Sequence, residues 1–239
     1  MHDYRSLAAE LSYLLGLEQP PVAIAFSDET PAGVELHGGR MPPPTEDGRT
    51  GRVPAGCVFW IQAQERSFST VAEDHGNCSV GSLTHGFKTL EEVAGRQDIA
   101  TLVECQWVSP EDFARIPVVR RRYARVSYGP LHDTTVAPDV VFLRLNARQA
   151  MVLSDALPGL RFEGKPQCHI IAIAKEQGQP AVSVGCMLSR VRTGMPATQM
   201  SCAIPGSQLQ DVVSRLTRAV TADKTVAAYA GEDSRRFAC

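Results

Sequence analysis

The sequence lacks the long apolar run that a membrane-spanning helix needs: no stretch approaches roughly 20 consecutive apolar residues. It also lacks an excess of either charge, because 24 Lys and Arg face 26 Asp and Glu for a formal net charge of −2. A surface so close to neutral does not favour nucleic acid or an anionic membrane as a partner. Residues 1–17 lack the charged-then-apolar order of a signal peptide, so we expect a cytoplasmic protein.

Several common catalytic motifs are also missing. The sequence contains no Gly-x-Gly-x-x-Gly after a strand, no phosphate loop ending in Gly-Lys-Ser/Thr, no His-Glu-x-x-His and no Gly-x-Ser-x-Gly. Basic and aromatic residues are not interleaved as in nucleic-acid-binding surfaces. Cysteine pairs of the Cys-x-x-Cys type are absent, so the strongest metal-binding spacing is not available.

Predicted strands and helices interleave along the chain. Leucines at helical spacing predict a helix that ends at Gly16, and Asn146 is placed to cap a helix that follows an apolar strand. Residues 28–55, rich in Gly and Pro, predict a long loop. Predicted strands cover residues 22–26, 68–72, 118–128, 140–145, 170–174, 181–184 and 200–204. We therefore predict one domain, 1–239, of α/β or α+β class, with a mixed sheet flanked by helices and without a fixed-period repeat.

Predicted helices begin next to several cysteines. Residues 57–64 predict one helix and a second begins near Cys78; Thr89 and Ser109 each begin a further helix with a capping box. The helix after Asn146 is expected to present Ala147, Ala150, Met151 and Ser154 on one face.

Seven cysteines are the most informative residues of the chain. In a cytoplasmic protein we expect them to be reduced thiols, metal ligands or catalytic groups rather than disulfides. A buried inert thiol is the ordinary role of a free cysteine. Cys57 and Cys186, however, each follow a glycine, and Cys78 lies at a predicted helix start. Because helix starts supply N–H groups and a positive field, we expect these positions to lower the thiol pKa.

Segments spread over most of the chain resemble the DUF169 family, a domain of unknown function. The matching segments are Pro21-Val22-Ala23-Ile24, residues 72–87 with His75-Gly76-Asn77-Cys78-Ser79-Val80-Gly81, residues 128–131 and 138–141, Gly164-Lys165-Pro166-Gln167-Cys168, and residues 182–190. The resemblance brings no settled activity with it. It implies site-bearing segments at 57–87 and 164–192, which contain Cys57, Cys78, Cys168 and Cys186. Cys105, Cys202 and Cys239 lie outside the family-like segments and are expected to be dispensable for a site.

Four thiolates suit a tetrahedral zinc site or a [4Fe–4S] cluster. Because the four cysteines are dispersed rather than paired, we expect a cluster, with zinc as the alternative. If Cys168 is not a ligand, the other three leave one position open for a substrate.

His75 and Arg190 are the candidate catalytic residues. His75 lies just before Cys78, and a histidine can transfer protons near neutral pH. Alternatively, His75 is a metal ligand or a hydrogen-bond donor that fixes the loop. Arg190 follows Cys186, where a guanidinium can hold a carboxylate or phosphate, or form a structural ion pair. We expect His85 to be a packed histidine supporting the site.

The function predicted from these residues is a cysteine-ligated metal or iron–sulfur enzyme acting on a small anionic metabolite, with an unknown reaction. One alternative is a non-catalytic module that binds a metal or a small ligand. Another is a metal-free thiol enzyme with Cys78 or Cys186 as nucleophile and His75 as base. A homo-oligomer is compatible with any of the three.

Overall fold

The structure, a computed structural model, describes residues 3–38, 54–164 and 166–237. Within these ranges eight strands form one sheet: β1 (Val22–Ser27), β2 (Glu35–Leu36), β3 (Phe68–Thr70), β4 (Arg125–Pro130), β5 (Val140–Asn146), β6 (Arg161–Glu163), β7 (Ala181–Ser183) and β8 (Gln199–Pro205). Their order is β2-β3-β4-β1-β5-β8-β7-β6. The β2–β3 and β6–β7 pairs are parallel and the other neighbours are antiparallel. The predicted mixed sheet is confirmed.

Ten α-helices accompany the sheet in the described ranges. They are α1 (Tyr4–Leu15), α2 (Gly56–Gln62), α3 (Ser79–Thr84), α4 (Leu90–Ala94), α5 (Gln97–Glu104), α6 (Pro110–Phe113), α7 (Ala147–Ala156), α8 (His169–Gln177), α9 (Met187–Thr193) and α10 (Leu209–Phe237). Several begin where the sequence predicts: Thr89, Ser109 and Asn146 each accept a hydrogen bond from a backbone N–H of the first turn. No helix in the part of the chain described here is long and apolar enough to cross a bilayer.

The helices cover both faces of the sheet, which gives three layers. Alternation along β5 separates the two cores: Val141, Leu143 and Leu145 pack with the face that carries α1, α7 and α10. Val140 and Phe142 belong to the other core, which contains Trp60 of α2 and most of α8. Arg144 follows the same alternation as Phe142, so its side chain is directed into the α2 and α8 side.

The two halves of the sheet have the same topology, although the sequence shows no repeat. In each half the first strand pairs with the fourth, the fourth with the third, and the third lies parallel to the second. The registers also correspond, because Val22 pairs with Pro130 in the first half and Val140 with Pro205 in the second. β1 and β5 meet antiparallel at the centre. The halves are therefore related as if by a two-fold axis between β1 and β5.

Three predicted elements differ from the structure. Residues 170–174, predicted as a strand, lie in helix α8, and every one of them is buried. An apolar run buried all round has no period from which helix and strand can be told apart. The strand predicted at 118–128 begins only at Arg125. In the predicted loop 28–55, β2 forms an edge strand at Glu35–Leu36, and residues 39–53 lie outside the described ranges.

The face of α7 formed by Ala147, Ala150, Met151 and Ser154 is not the one that the fold buries. The helix buries Val152, Leu153 and Ala156, whereas Met151 is 54% exposed. The choice of face depends on α10, which packs against α7. That contact joins residues about 60 positions apart, so the local spacing of small residues did not reveal it.

Candidate functional site

Four of the six described cysteines line one pocket on the α2 and α8 side of the sheet. They are Cys57, Cys78, Cys168 and Cys186. Its walls include the apolar side chains of Trp60, Val80, Leu102, Trp107 and Leu188, and one cation, Arg192. The enclosed volume is about 30 Å³, room for one or two water-sized atoms. Thiols from four separate segments thus share one small apolar site.

Each of these cysteines lies at the start of a helix. Cys57 is the second residue of α2, and Cys78, Cys168 and Cys186 are the N-cap residues of α3, α8 and α9. The Sγ of Cys186 accepts a hydrogen bond from the Ser189 N–H at 3.4 Å. The start of α9 thus supplies a backbone N–H to one of the pocket thiols.

The cysteine positions also correspond between the two halves of the sheet. Cys57 and Cys168 each begin the helix that precedes the third strand of their half, β3 or β7. Cys78 and Cys186 each cap the helix that follows that strand. Each half therefore contributes one thiol before and one after its third strand, and the pocket combines both pairs.

The thiol pKa values move in the direction opposite to our expectation. Burial, together with a smaller effect of the neighbouring Cys78, raises the pKa of Cys57 to about 11. Burial likewise raises the pKa of Cys168 well above its usual value and raises that of Cys186. Desolvation outweighs the field of these short helices. At neutral pH the three thiols are therefore protonated in the protein without a metal.

The thiols are not arranged as a preformed metal site. Within residues 3–38, 54–164 and 166–237, no group of three or more His, Cys, Asp or Glu side chains is placed so that it could hold a metal ion. Cys57, Cys78 and Cys186 nevertheless interact electrostatically, since each of the other two raises the pKa of Cys57. Their shared pocket is observed, and a shared metal or cluster stays a prediction.

A hydrogen-bond network joins the segments that carry Cys168 and Cys186. The side chain of Gln167 accepts a hydrogen bond from Ser201 Oγ at 2.7 Å and donates one to Ser189 Oγ. All three side chains are buried. The network fixes the start of α8 against α9 and β8, and so holds two of the thiols in place.

The two candidate catalytic residues do not line the pocket. His75 is fully buried among aromatic rings, and its Nε2 lies 3.0 Å from Thr70 Oγ1. The Arg190 guanidinium donates to the carbonyl oxygens of Val184, Pro196 and Gln199 at 2.5, 2.8 and 2.9 Å. These contacts fix the turns on either side of α9. The acid–base role of His75 and the anion-binding role of Arg190 stay predictions.

Arg144 is a charged residue near the pocket, although it does not line it, and the sequence did not single it out. It is 5% exposed, and its Nε and Nη1 have no hydrogen-bond acceptor. Its one polar contact is Nη2 to Thr193 Oγ1 at 3.4 Å, and among the described residues it has no carboxylate partner. Burial lowers its pKa to about 10, and Cys57 acts against that lowering, so the two groups interact. An arginine inside an otherwise apolar strand run was the available signal.

Arg192 supplies the charge in the pocket wall. Its Nη2 donates to the Asn77 carbonyl oxygen at 3.1 Å, whereas its buried Nη1 has no acceptor. The remaining described cysteines lie elsewhere: Cys105 is exposed, and Cys202 is buried in β8 within the opposite core. Cys239 lies outside the described residues.

The fold and the site define a three-layer mixed-sheet α/β protein with a four-thiol pocket between two topologically equivalent halves. A family model, DUF169, described as "Uncharacterised ArCR", matches residues 10–215. The chain belongs to the DUF169 family, which confirms the resemblance seen in the sequence. No curated protein and no solved structure matches the chain.

Proposed function

We propose that this protein binds a metal centre, either a [4Fe–4S] cluster or a zinc ion, through Cys57, Cys78, Cys168 and Cys186. The observation that carries the proposal is the convergence of these thiols, from equivalent positions in the two halves, on one pocket. Thiolate is the preferred ligand of both centres. Packing alone gives no reason for four thiols to meet at one point of a core that aliphatic side chains fill elsewhere.

The charges around the pocket fit such a centre. Zinc with four thiolates, like an oxidised [4Fe–4S] cluster with four thiolates, has an excess of negative charge. Arg144 and Arg192 provide buried guanidinium nitrogens without acceptors close to the thiols. A buried cation without a partner is costly, and a nearby anionic centre would offset that cost.

Metal binding would require the thiols to lose their protons and to move closer together. Cys57, Cys168 and Cys186 have raised pKa values, so each would release a proton on coordination. Their Sγ atoms would also have to draw together by side-chain rotation. The volume of about 30 Å³ accepts a single ion more readily than a cluster, which would have to push the apolar walls apart. The dispersed ligand positions favour the cluster, and the small volume favours zinc.

The same proposal includes an enzymatic role toward a small anionic metabolite. The support for this role is Arg192, the positively charged residue of the pocket wall, whose Nη1 has no hydrogen-bond acceptor. The bound centre would supply Lewis acidity or electron transfer. The thiol-enzyme alternative is less well supported, because burial raises the pKa of Cys186 and the proposed base, His75, does not line the pocket.

The test is metal analysis of protein purified without oxygen. We expect either iron and sulfide in equal amounts with a brown colour, or about one zinc per chain without colour. Single Cys→Ser substitutions at positions 57, 78, 168 and 186 should each lower the metal content. Cys105→Ser and Cys202→Ala serve as matched controls, since both thiols lie outside the pocket. A protein that neither retains nor takes up iron or zinc would disprove the proposal.

A further inference from the structure

Two buried histidines lie beside the thiol pocket and are not used by the centre proposed above. His75 ends the turn Ala72–His75, and His85 is the C-cap residue of α3. They are 0% and 1% exposed, and their ring centroids are 5.1 Å apart. Both rings lie against Gly56, the first residue of α2.

Hydrogen bonds fix the tautomer of each ring. His85 Nδ1 lies 2.8 Å from the Gly81 carbonyl oxygen, which can only accept, so Nδ1 carries the proton and Nε2 does not. Thr70 Oγ1 donates its only proton to the Val126 carbonyl oxygen at 2.9 Å. It must therefore accept from His75 Nε2 at 3.0 Å, which leaves His75 Nδ1 unprotonated.

The two unprotonated nitrogens lie near one point. A methyl group added to Gly56 would lie 3.6 Å from His85 Nε2 and 3.8 Å from His75 Nδ1. Neither nitrogen has a hydrogen-bond donor in the described residues. Burial lowers the pKa of His75 well below its usual value and that of His85 to about 4, so both rings are neutral at physiological pH. Two unprotonated imidazole nitrogens without a hydrogen-bond partner thus lie near the same position.

We propose that His75 Nδ1 and His85 Nε2 bind a cuprous ion at this position, as a nitrogen-ligated site separate from the thiol centre. A metal-binding histidine characteristically donates its other ring N–H to a carbonyl or similar acceptor, and both rings do so. Phe59 and Phe87, with ring centroids 5.0 and 4.7 Å from that of His75, leave little room for further ligands. A cuprous ion suits imidazole, accepts two ligands and has a single charge, so it costs less to bury than a divalent ion.

The site does not depend on the thiol centre. A copper-bound His75 Nδ1 has no lone pair left to accept a proton, so this proposal replaces the acid–base role predicted for His75. The described part of the second half has no counterpart: the residue corresponding to Thr70 is Ser183, which bonds Gly164 and Gly185 instead of a histidine. The imidazole pair is therefore a specialisation of the first half.

The experiment uses the full chain with the four pocket cysteines replaced by serine and its accessible remaining thiols, Cys105 among them, alkylated beforehand, so that thiols do not bind the probe. Cuprous ion is titrated without oxygen against a colorimetric cuprous chelator. We expect about one equivalent bound per chain, lost on further substitution His85→Phe and unchanged in the control His132→Gln, whose ring is half-exposed and outside this cluster. Gly56→Ala, which places a methyl group 3.2 Å from His85 Cε1, should weaken binding at least tenfold without removing a ligand.

Should the four-serine chain fail to fold, the intact protein is titrated after zinc or iron has filled the thiols, and His85→Phe should remove one copper equivalent. No bound copper in a folded four-serine chain, or equal binding by His85→Phe, would mean that only a water molecule bridges the two nitrogens and would overturn the proposal. The thiol-centre proposal is tested separately, by measuring the iron and zinc content of the unsubstituted protein.

Discussion

Replacing Arg144 by methionine should have opposite effects on the metal-free and metal-bound protein. The guanidinium is 5% exposed, its Nε and Nη1 have no acceptor, and burial lowers its pKa from 12.5 to about 10. A pKa lowered by this amount means that folding disfavours the charged guanidinium, relative to the neutral form, by about 3 kcal/mol. Methionine fills a similar volume without a charge. The substitution loses one hydrogen bond to Thr193 at 3.4 Å, worth about 1 kcal/mol.

The metal-free protein should therefore become more stable by about 2 kcal/mol, the difference between these two effects. In the metal-bound protein the same change removes a positive charge that interacts with Cys57, a proposed ligand. We expect metal affinity to fall at least tenfold, about 1.4 kcal/mol. Urea unfolding of the metal-free protein and competition with a zinc chelator measure the two quantities.

Arg148→Met is the matched control, because it removes the same charge from an exposed arginine of α7 that pairs with Asp223 at 2.5 Å. It should change stability by less than about 1 kcal/mol and leave metal affinity unaltered. A destabilised metal-free Arg144→Met protein would show that the guanidinium is already satisfied in the fold. Unchanged metal affinity would show that Arg144 is not the counter-charge of the thiol centre.

Three further expectations concern other parts of the molecule. Arg190→Ala removes donors to three carbonyl oxygens and should lower the unfolding free energy by about 2–4 kcal/mol, whereas the exposed Arg120→Ala should change it little in the same urea titration. Because the pKa of His85 falls from 6.5 to about 4 on folding, the unfolded chain binds the extra proton between these values. Metal-free protein should then lose up to about 3 kcal/mol of stability as pH drops from 6.5 to 4, and a His85→Gln variant should show a flatter profile. Cys105 is exposed and should react with a thiol reagent at once. Cys202 should react only on unfolding, because it is buried and burial raises its pKa to about 12. Rapid labelling of Cys202 in the native protein would contradict its placement.

Elements governed by neighbouring residues were predictable. Gly16 ends α1 in the left-handed conformation, and Asn146 caps α7 by accepting from Gln149 N–H. Both depend on contacts within a few positions of the chain. The apolar strand β1 was predictable for the same reason. Helix α8 was not, because its inner run is buried on every side and its period carries no signal.

The site could be predicted only in part, because its assembly is non-local. The sequence singles out the four cysteines that line the pocket, but their meeting there depends on strand pairings between residues far apart in the chain. Arg144 shows the limit most clearly: the apolar run around it indicates a buried strand, but not that its guanidinium interacts with Cys57. The raised thiol pKa values follow from the same burial, and a helix-start rule alone gives the opposite sign.

A sheet built from two halves of one strand order and register is what a tandem gene duplication and fusion produces. A half-length ancestor, with two thiols around its third strand, could have assembled four only as a homodimer across the β1–β5 edge, where three residue pairs now join the halves. On that hypothesis the modern halves are still separable: fragments 1–137 and 138–239, expressed together, should reassociate and recover metal binding that neither has alone. Metal binding by a single fragment that stays monomeric would reject the shared-ancestor account of the site, because one half supplies only two of the four thiols.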